Sequence, residues 1–247
     1  MIFHRPFPAL FALLLGITLP LEASSRLSES FSAPSEGLPA NWKATARGPA
    51  TATRIAIEEI PNAATPGLLI ERTRDGAGSG AVWYTGPELG SPDGKIRDFQ
   101  ASVIFRVEQP PKSNSSTRGM AFRANRLAYD KYQGYYVAVQ AWGDKRGLGI
   151  YFNPQRHVND GTELAFAPLR ESLKTGEDYL LQVKVAGSEM EAALWKVTRE
   201  GTKEKLLAEA KITDNQNLEP GYFGLRGGYG NTGPIKTWFR SLHLHTP

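Results

Sequence analysis

Short segments in which apolar and polar residues alternate run along most of the chain, and this period of two predicts β-strands. From residue 101 onward, Ala101, Val103 and Phe105 share one predicted face, whereas Ser102 and Arg106 lie on the other. Ten segments have this pattern: residues 55–60, 68–73, 101–107, 119–124, 135–142, 148–152, 179–185, 190–197, 222–226 and 238–244. We therefore expect a chain built mainly of short strands, each with one face in the core.

Turn-forming residues separate these segments. The chain contains 25 Gly and 17 Pro residues, and pairs such as Asn153-Pro154 and Asp160-Gly161 favour tight turns. The stretch from Gly76 to Gly80 is predicted to be a further loop, because its glycines lack the spacing of a phosphate-binding motif. Residues 203–210 fit two helical turns but are better interpreted as a strand leading to Ile212. Evenly spaced strands without alternating helices predict an all-β, single-domain antiparallel sandwich or barrel.

The N-terminus has the pattern of a secretory signal peptide. His4 and Arg5 precede an apolar run over residues 7–21, and Ala23 stands where cleavage is expected. The run is shorter than the ~20 apolar residues that a bilayer span needs. We therefore predict a signal peptide over residues 1–23 and a single domain over residues 24–247. The protein is expected to be secreted or periplasmic, with no transmembrane segment after cleavage.

The composition and charge of the chain limit the kinds of site and partner that we expect. Without any Cys, the chain cannot form disulfides, thiolate metal sites or a cysteine nucleophile. The net charge is +4, but Lys and Arg are scattered among Asp and Glu, so nucleic acid is not an expected partner. No His-Glu-x-x-His, Gly-x-Ser-x-Gly or P-loop motif is present. His243 and His245 lie two apart on a predicted strand, where a solvated face is favoured over metal chelation.

Four stretches carry a resemblance to a known superfamily: residues 31–42 (FSAPSEGLPANW), residues 119–123 with 134–139 (GMAFR and GYYVAV), residues 176–187 (GEDYLLQVKVAG), and residues 221–226 with 238–244. They resemble the opening strand, two adjacent strands, a strand with its hairpin, and the closing strand of the concanavalin A-like lectin/glucanase superfamily, which includes laminin-G-like jelly rolls. The resemblance implies a two-sheet antiparallel jelly-roll sandwich whose concave face or rim often holds carbohydrate. A narrower likeness is to the bacterial 3-keto-disaccharide hydrolase-like domain, although Tyr136 stands where that domain has an acidic residue.

Strand alternation also defines a candidate binding face. In residues 135–142, Tyr135, Val137 and Val139 form an apolar set, and the residues between them point the other way. If the outward faces of neighbouring strands lie on one sheet, they bring together Arg123, Tyr136, Gln140, Trp142, Tyr151 and Arg226. Sugar rings stack on Trp and Tyr, and Arg and Gln donate hydrogen bonds to hydroxyl groups. The competing interpretation is a second core layer, in which Arg stems cover the rings.

These residues predict a secreted, lectin-like domain that binds carbohydrate on this face without catalysis. A glycoside hydrolase of the same fold is one alternative, but it needs paired carboxylates. Glu58 and Glu59 point to opposite faces, and Glu189 and Glu191 follow a turn. A polysaccharide lyase is another alternative, since the resemblance implies an Arg, Gln, His and Tyr set in the alginate-lyase-type members. Arg123 and Gln140 with Tyr136 or Tyr151 match part of this set, but no strand histidine joins them.

A structural or protein-interaction module of the cell envelope is the third hypothesis. Calcium at the rim is a further expectation left open. Asp214 to Asn217 offers four oxygen-bearing side chains, with Asp144 and Asp160 in other loops, although turn formation explains the same residues. No other cofactor is expected, and the sugar and the oligomeric state stay open.

Overall fold

A computed structural model of the chain describes residues 25–31, 37–47, 52–63, 65–73, 79–89, 91–108, 116–141, 146–155, 161–230 and 234–247. The described residues form no α-helix. Their strands are β1 Ser25–Glu29, β2 Trp42–Arg47, β3 Thr53–Glu59, β4 Pro66–Arg72, β5 Ser79–Tyr84, β6 Phe99–Glu108, β7 Ser116–Ala124, β8 Gln133–Gln140, β9 Gly147–Pro154, β10 Thr162–Pro168, β11 Asp178–Ala186, β12 Glu189–Val197, β13 Lys203–Thr213, β14 Tyr222–Gly230 and β15 Ile235–Thr246. The predicted signal peptide and its cleavage site lie outside the described residues.

The strands form two antiparallel sheets. The eight-stranded sheet has the order β13-β12-β11-β6-β15-β4-β3, and β1 pairs with β15. The seven-stranded sheet has the order β10-β9-β8-β7-β14-β5-β2. The predicted all-β, two-sheet antiparallel sandwich is therefore confirmed.

The main core lies between the two sheets. Val103 and Phe105 point into it from β6, and Val137 and Ile150 point into it from β8 and β9, as the alternation predicted. Phe99 of the eight-stranded sheet makes edge contacts with Phe122 and Phe223 of the seven-stranded sheet, with ring centroids 5.4 and 5.7 Å apart. Aromatic packing thus joins the sheets at this end of the sandwich.

The ten predicted segments coincide with observed strands, apart from terminal residues and Trp142, which is not described. Residues 203–210 belong to β13, so the helical alternative is wrong. The described part of residues 31–42 is not an opening strand, because β1 precedes Phe31 and β2 begins at Trp42. Alternation did not identify β1, β2, β5 or β10.

The loop prediction for Gly76 to Gly80 is wrong at its end, because Ser79 and Gly80 begin β5. Every residue of β5 is buried, so no polar positions mark the strand in the sequence. A Cβ on Gly80 would lie 3.0 Å from Ile55 and Ile70 of the other sheet. Glycine at this position therefore permits close packing between the sheets.

Gly119 gives a test of the β7–β8 pairing. A Cβ at Gly119 would overlap the carbonyl oxygen of Val137, which is backbone and cannot move without disturbing the sheet. We expect Gly119→Ala to lower the free energy of unfolding by about 1–3 kcal/mol. Urea denaturation measures this change. Gly37→Ala is the control, since nothing lies within 4 Å of its Cβ position, and we expect it to change stability by less than about 0.5 kcal/mol. Equal effects of the two substitutions would contradict this packing.

Candidate functional site

The outer face of the seven-stranded sheet carries two adjacent rows of side chains. Strand register aligns one row across five strands as Tyr151, Tyr136, Ala121, Gly224 and Trp83. The next row on the same face is Gly149, Ala138, Gly119, Arg226 and Ala81. The second row is made of small residues except for one arginine. Large side chains from the first row and from the loops therefore have room to lie over it.

Tyr136 and Tyr151 form a stacked pair at one side of this face. Their ring centroids are 4.9 Å apart and the ring planes differ by 9°. A Cβ on Gly149 would run into the Tyr151 ring, so the missing side chain allows Tyr151 to lie flat against the sheet. Tyr151 is partly exposed, whereas Tyr136 retains 7% of its accessible surface. The exposed part of the pair is therefore the Tyr151 ring, which packs against the largely buried Tyr136 ring.

Arg226 is enclosed by three tyrosines, which we call the tyrosine cage: Tyr129, Tyr132 and Tyr136. Its guanidinium carbon lies 4.9 Å from the ring centroids of Tyr129 and Tyr136 and 6.0 Å from that of Tyr132. These are cation–π distances. Its Nη1 donates a long hydrogen bond of 3.4 Å to the Tyr132 hydroxyl. The cage therefore holds the guanidinium mainly through ring faces.

Two members of the cage come from the connection between β7 and β8, not from a strand. Tyr129 and Tyr132 lie on this connection, and the Tyr132 ring makes an edge contact with Trp83 at 5.6 Å. Trp83 and Tyr132 are fully buried. Alternation did not identify these three residues, because a connection has no strand period and β5 is buried on both faces. In this part of the face, buried aromatic residues form a second core layer, which is the competing interpretation that the sequence left open.

Tyr132 and Tyr136 of the cage stay neutral at physiological pH. Burial raises the pKa of Tyr132 to about 12. Burial also raises the pKa of Tyr136, against the opposing effect of the nearby Arg226 charge. For Tyr151, burial raises the pKa and the neighbouring Glu163 raises it further. These phenols can therefore donate hydrogen bonds to a ligand, but they carry no charge that balances Arg226.

Gln140 lies on the same face as Tyr136 but further along β8. It pairs with Gly147 and Thr117 and is partly exposed. It lies four positions beyond Tyr136, which corresponds to about 13 Å along the strand. Trp142 lies outside the described residues. Of the six predicted site residues, the structure thus brings Tyr136, Tyr151 and Arg226 into contact, with Gln140 on the same face.

Arg123 does not join this face. Two residues of β7, Phe122 and Arg123, stand opposite one residue of β14, which is a β-bulge, and Arg123 has a left-handed φ of 49°. Its guanidinium donates to the carbonyl oxygens of Arg97, Asn217 and Gly187 at 3.0, 3.1 and 2.6 Å. The bulge breaks the simple alternation on which the sequence prediction relied.

Arg123 also forms an ion pair with Asp98, at 3.1 Å between Nη2 and Oδ1. The same carboxylate oxygen accepts the backbone N–H of Gly187 at 2.9 Å. Arg123 therefore ties together the start of β6, the β11–β12 hairpin and the loop before β14. Arg123 thus holds these three segments in place at the rim of the sandwich.

The loop from Asp214 to Asn217 uses its oxygen atoms within the protein. Asp214 accepts hydrogen bonds from the Tyr135 hydroxyl at 2.6 Å and from the Gln216 backbone N–H at 3.0 Å. The Asn217 carbonyl accepts from Arg123, and a neighbouring guanidinium opposes a cation. The described arrangement therefore fits turn formation rather than a calcium site. Asp144 and Asp160 lie outside the described residues.

His243 lies beside Ser28, with 3.1 Å between its Nδ1 and the Ser28 Oγ. Across the part of the chain that the structure describes, no group of three or more His, Asp and Glu side chains is arranged to hold a metal ion. Among the same residues, no helix is long and apolar enough to cross a membrane.

No protein-family model matches this chain, and no curated protein matches its sequence. Solved structures do match its fold. Lectin II from Ulex europaeus is similar with a TM-score of 0.57 and 11% identity, over 90% of this chain and 98% of the lectin. The VIP36 exoplasmic/lumenal domain, solved with Ca2+ and Man3GlcNAc, has a TM-score of 0.55 and 16% identity, over 83% of each chain. The carbohydrate-binding module CBM66 from Bacillus subtilis has a TM-score of 0.51 and 13% identity, over 82% of this chain and 93% of the module.

These similarities identify the class of fold: the chain is a concanavalin A-like jelly roll, as the sequence resemblance implied. The narrower likeness to the 3-keto-disaccharide hydrolase-like domain stays a prediction. At sequence identities between 11% and 16%, these structural similarities show the fold but do not identify the ligand of this chain.

Arg123→Met tests the positioning role of Arg123. The substitution leaves Asp98 and three carbonyl oxygens without the guanidinium, so we expect the free energy of unfolding to fall by about 3–5 kcal/mol. Thermal and urea denaturation measure the loss. Glycan affinity of the fraction that remains folded should change less than twofold, because Arg123 does not face the tyrosine cage. Loss of binding with unchanged stability would contradict this role.

Asp98→Asn tests the same network through pH. Partial burial alone raises the pKa of Asp98, but the Gly187 N–H, Arg97 and Arg123 outweigh it, and the net pKa is lowered. A lowered carboxyl pKa stabilises the fold above the unfolded pKa of about 3.9 and loses this contribution as pH falls through the folded pKa. We expect wild type to be more stable than Asp98→Asn at pH 7, with the difference shrinking below about pH 4. Glu189→Gln, an exposed carboxylate, is the control. A difference independent of pH would show that charge does not matter here.

Proposed function

We propose that this protein is a secreted, lectin-like carbohydrate-binding domain without catalytic activity. The ligand lies on the outer face of the seven-stranded sheet, against the Tyr136–Tyr151 stack and beside Arg226. Gln140 extends the contact along β8. Trp142, two residues further along the chain, is proposed as a further sugar-binding residue. Residues 1–23 act as the export signal, and residues 24–247 form the mature domain. Carbohydrate is its partner, with no nucleic acid.

The observation that carries this proposal is the partly exposed Tyr151 stacked on Tyr136, next to the guanidinium of Arg226. Aromatic rings take the apolar face of a sugar, and neighbouring donors fix its hydroxyl groups. Support also comes from neighbours of the same fold, since VIP36 was solved with Man3GlcNAc and CBM66 is a carbohydrate-binding module. The fold and the residues of the face thus both support carbohydrate as the proposed ligand.

Two carboxylates near this face, those of Glu163 and Asp98, are both engaged by protein groups, and this favours binding without catalysis. The register places Glu163 of β10 opposite Tyr151, and the Glu163 carboxylate raises the pKa of the Tyr151 phenol as its hydrogen-bond acceptor. Glycoside hydrolysis needs two carboxylates at a defined separation. The carboxylate beside Arg123, Asp98, is held by the rim network instead.

Tyr151→Ala tests the proposed face. We expect glycan affinity to fall about tenfold or more, the equivalent of ~1.4 kcal/mol, because the substitution removes the exposed ring of the stack. A glycan array followed by calorimetry on the best ligand measures the change. Trp195→Ala is the matched control, since Trp195 is a partly exposed aromatic residue on the outer face of the other sheet. Its glycan affinity should stay within twofold of wild type.

The same assay separates the alternatives. Release of reducing ends or unsaturated sugar by wild type would establish a hydrolase or lyase and overturn the non-catalytic function. Absence of glycan binding would overturn the proposal and favour an envelope structural or interaction module. Repeating the array with added calcium and with EDTA tests the cation, and an unchanged binding pattern shows that the face works without it.

A further inference from the structure

Three of the buried arginines, Arg106, Arg123 and Arg226, differ in the groups that surround them. Arg106 pairs with Asp178 at 2.7 Å, and Arg123 pairs with Asp98 at 3.1 Å. Arg226 retains only 8% of its accessible surface, yet no described Asp or Glu carboxylate lies within ion-pair distance of it. Because burying a charge is costly unless it is paired, this difference needs a physical explanation.

The contacts that Arg226 does make are incomplete for a guanidinium. Its Nε is buried and has no hydrogen-bond partner among the described residues. Its hydrogen bond to Tyr132 is 3.4 Å, long for a charge-assisted bond, which is ordinarily about 2.7–2.9 Å. The tyrosine cage offers ring faces and the hydroxyl groups of Tyr129 and Tyr132 as hydrogen-bond partners, but no carboxylate. The cage therefore tolerates the cation without neutralising it.

We propose that Arg226 pairs with an anionic group of the ligand, so that the saccharide recognised by this face is an acidic one. This inference rests on the proposed function and specifies its ligand class. A carboxylate of a uronic acid and a sulfate ester share the chemistry that matters: two or more oxygens that accept parallel N–H bonds from one guanidinium.

The surrounding residues fit such a ligand. The Tyr136 ring contacts both Arg226 and Tyr151, so a sugar stacked on Tyr151 brings its acidic substituent toward the guanidinium. A carboxylate oxygen competes well with the neutral Tyr132 hydroxyl, because that bond is already long. The Tyr129 and Tyr132 hydroxyl groups then donate to the same anion.

Two matched pairs of glycans test the ligand class on the wild-type protein. The first pair is polygalacturonate and its fully methyl-esterified form, and the second is dextran sulfate and dextran. Each pair differs in charge and keeps the same backbone. We expect the charged member of at least one pair to bind at least tenfold more tightly in calorimetry at 150 mM salt. The pair that shows this preference identifies carboxylate or sulfate as the group recognised.

Arg226→Gln and Arg226→Lys then test the residue. Arg226→Gln should lose at least tenfold in affinity for the acidic ligand and the preference over the neutral one. Arg226→Lys should keep part of the preference, because it retains the charge but not the planar fork. Lys184→Gln is the matched control, since it removes one exposed positive charge from the other sheet. It should bind as wild type does.

Each contrary result has a distinct meaning. Equal affinity for charged and neutral members of both pairs would overturn the acidic-ligand inference and leave carbohydrate binding intact. Equal losses in Arg226→Gln and Lys184→Gln would also overturn it, because they indicate general attraction to a protein of net charge +4. No binding of any glycan would overturn both proposals. If Arg226→Gln does not fold, the wild-type comparison of matched glycans still decides the question.

Discussion

Burial of the inward faces of the two sheets fixes the register of every strand, and the candidate site depends on that register. A slip of one residue in β8 would bring Tyr136 into the core and expel Val137. The same slip in β14 would exchange Arg226 with Leu225. The apolar contacts between the sheets, including those of Phe99, therefore determine which aromatic and charged groups meet on the outer face.

Small residues then give this face its shape. Gly149, Ala138 and Gly119 form a row of small residues that Arg226 continues on β14, and the Tyr151 ring lies over Gly149. Glycine is costly in a strand, so its use here matches a need for space rather than for a turn. The connection between β7 and β8 covers part of this row with two tyrosines. Packing of the core and packing of the site are thus separate layers on opposite sides of one sheet.

Two arginines show how partners define a role. Arg123 is surrounded by carbonyl oxygens and a carboxylate, which satisfy its donors and make it a structural link between loops. Arg226 is surrounded by rings, and its Nε has no hydrogen-bond partner among the described residues, which is the basis for proposing it as a ligand contact. The jelly-roll fold shared with lectins does not by itself decide which arginine is structural and which could contact a ligand. Ligand choice depends on individual side chains and not on topology.

Alternation in the sequence determined most of the strands, the all-β class and the inward or outward direction of residues such as Val103, Tyr136 and Arg226, because these follow from local chain geometry. The tertiary structure decided three other matters. β5 is buried on both faces and so carries no alternating signal, the bulge at Arg123 turns that side chain to the rim, and Tyr129 and Tyr132 reach the site from a connection. Each depends on contacts between residues far apart in the chain, and the period of a single strand contains no information about them.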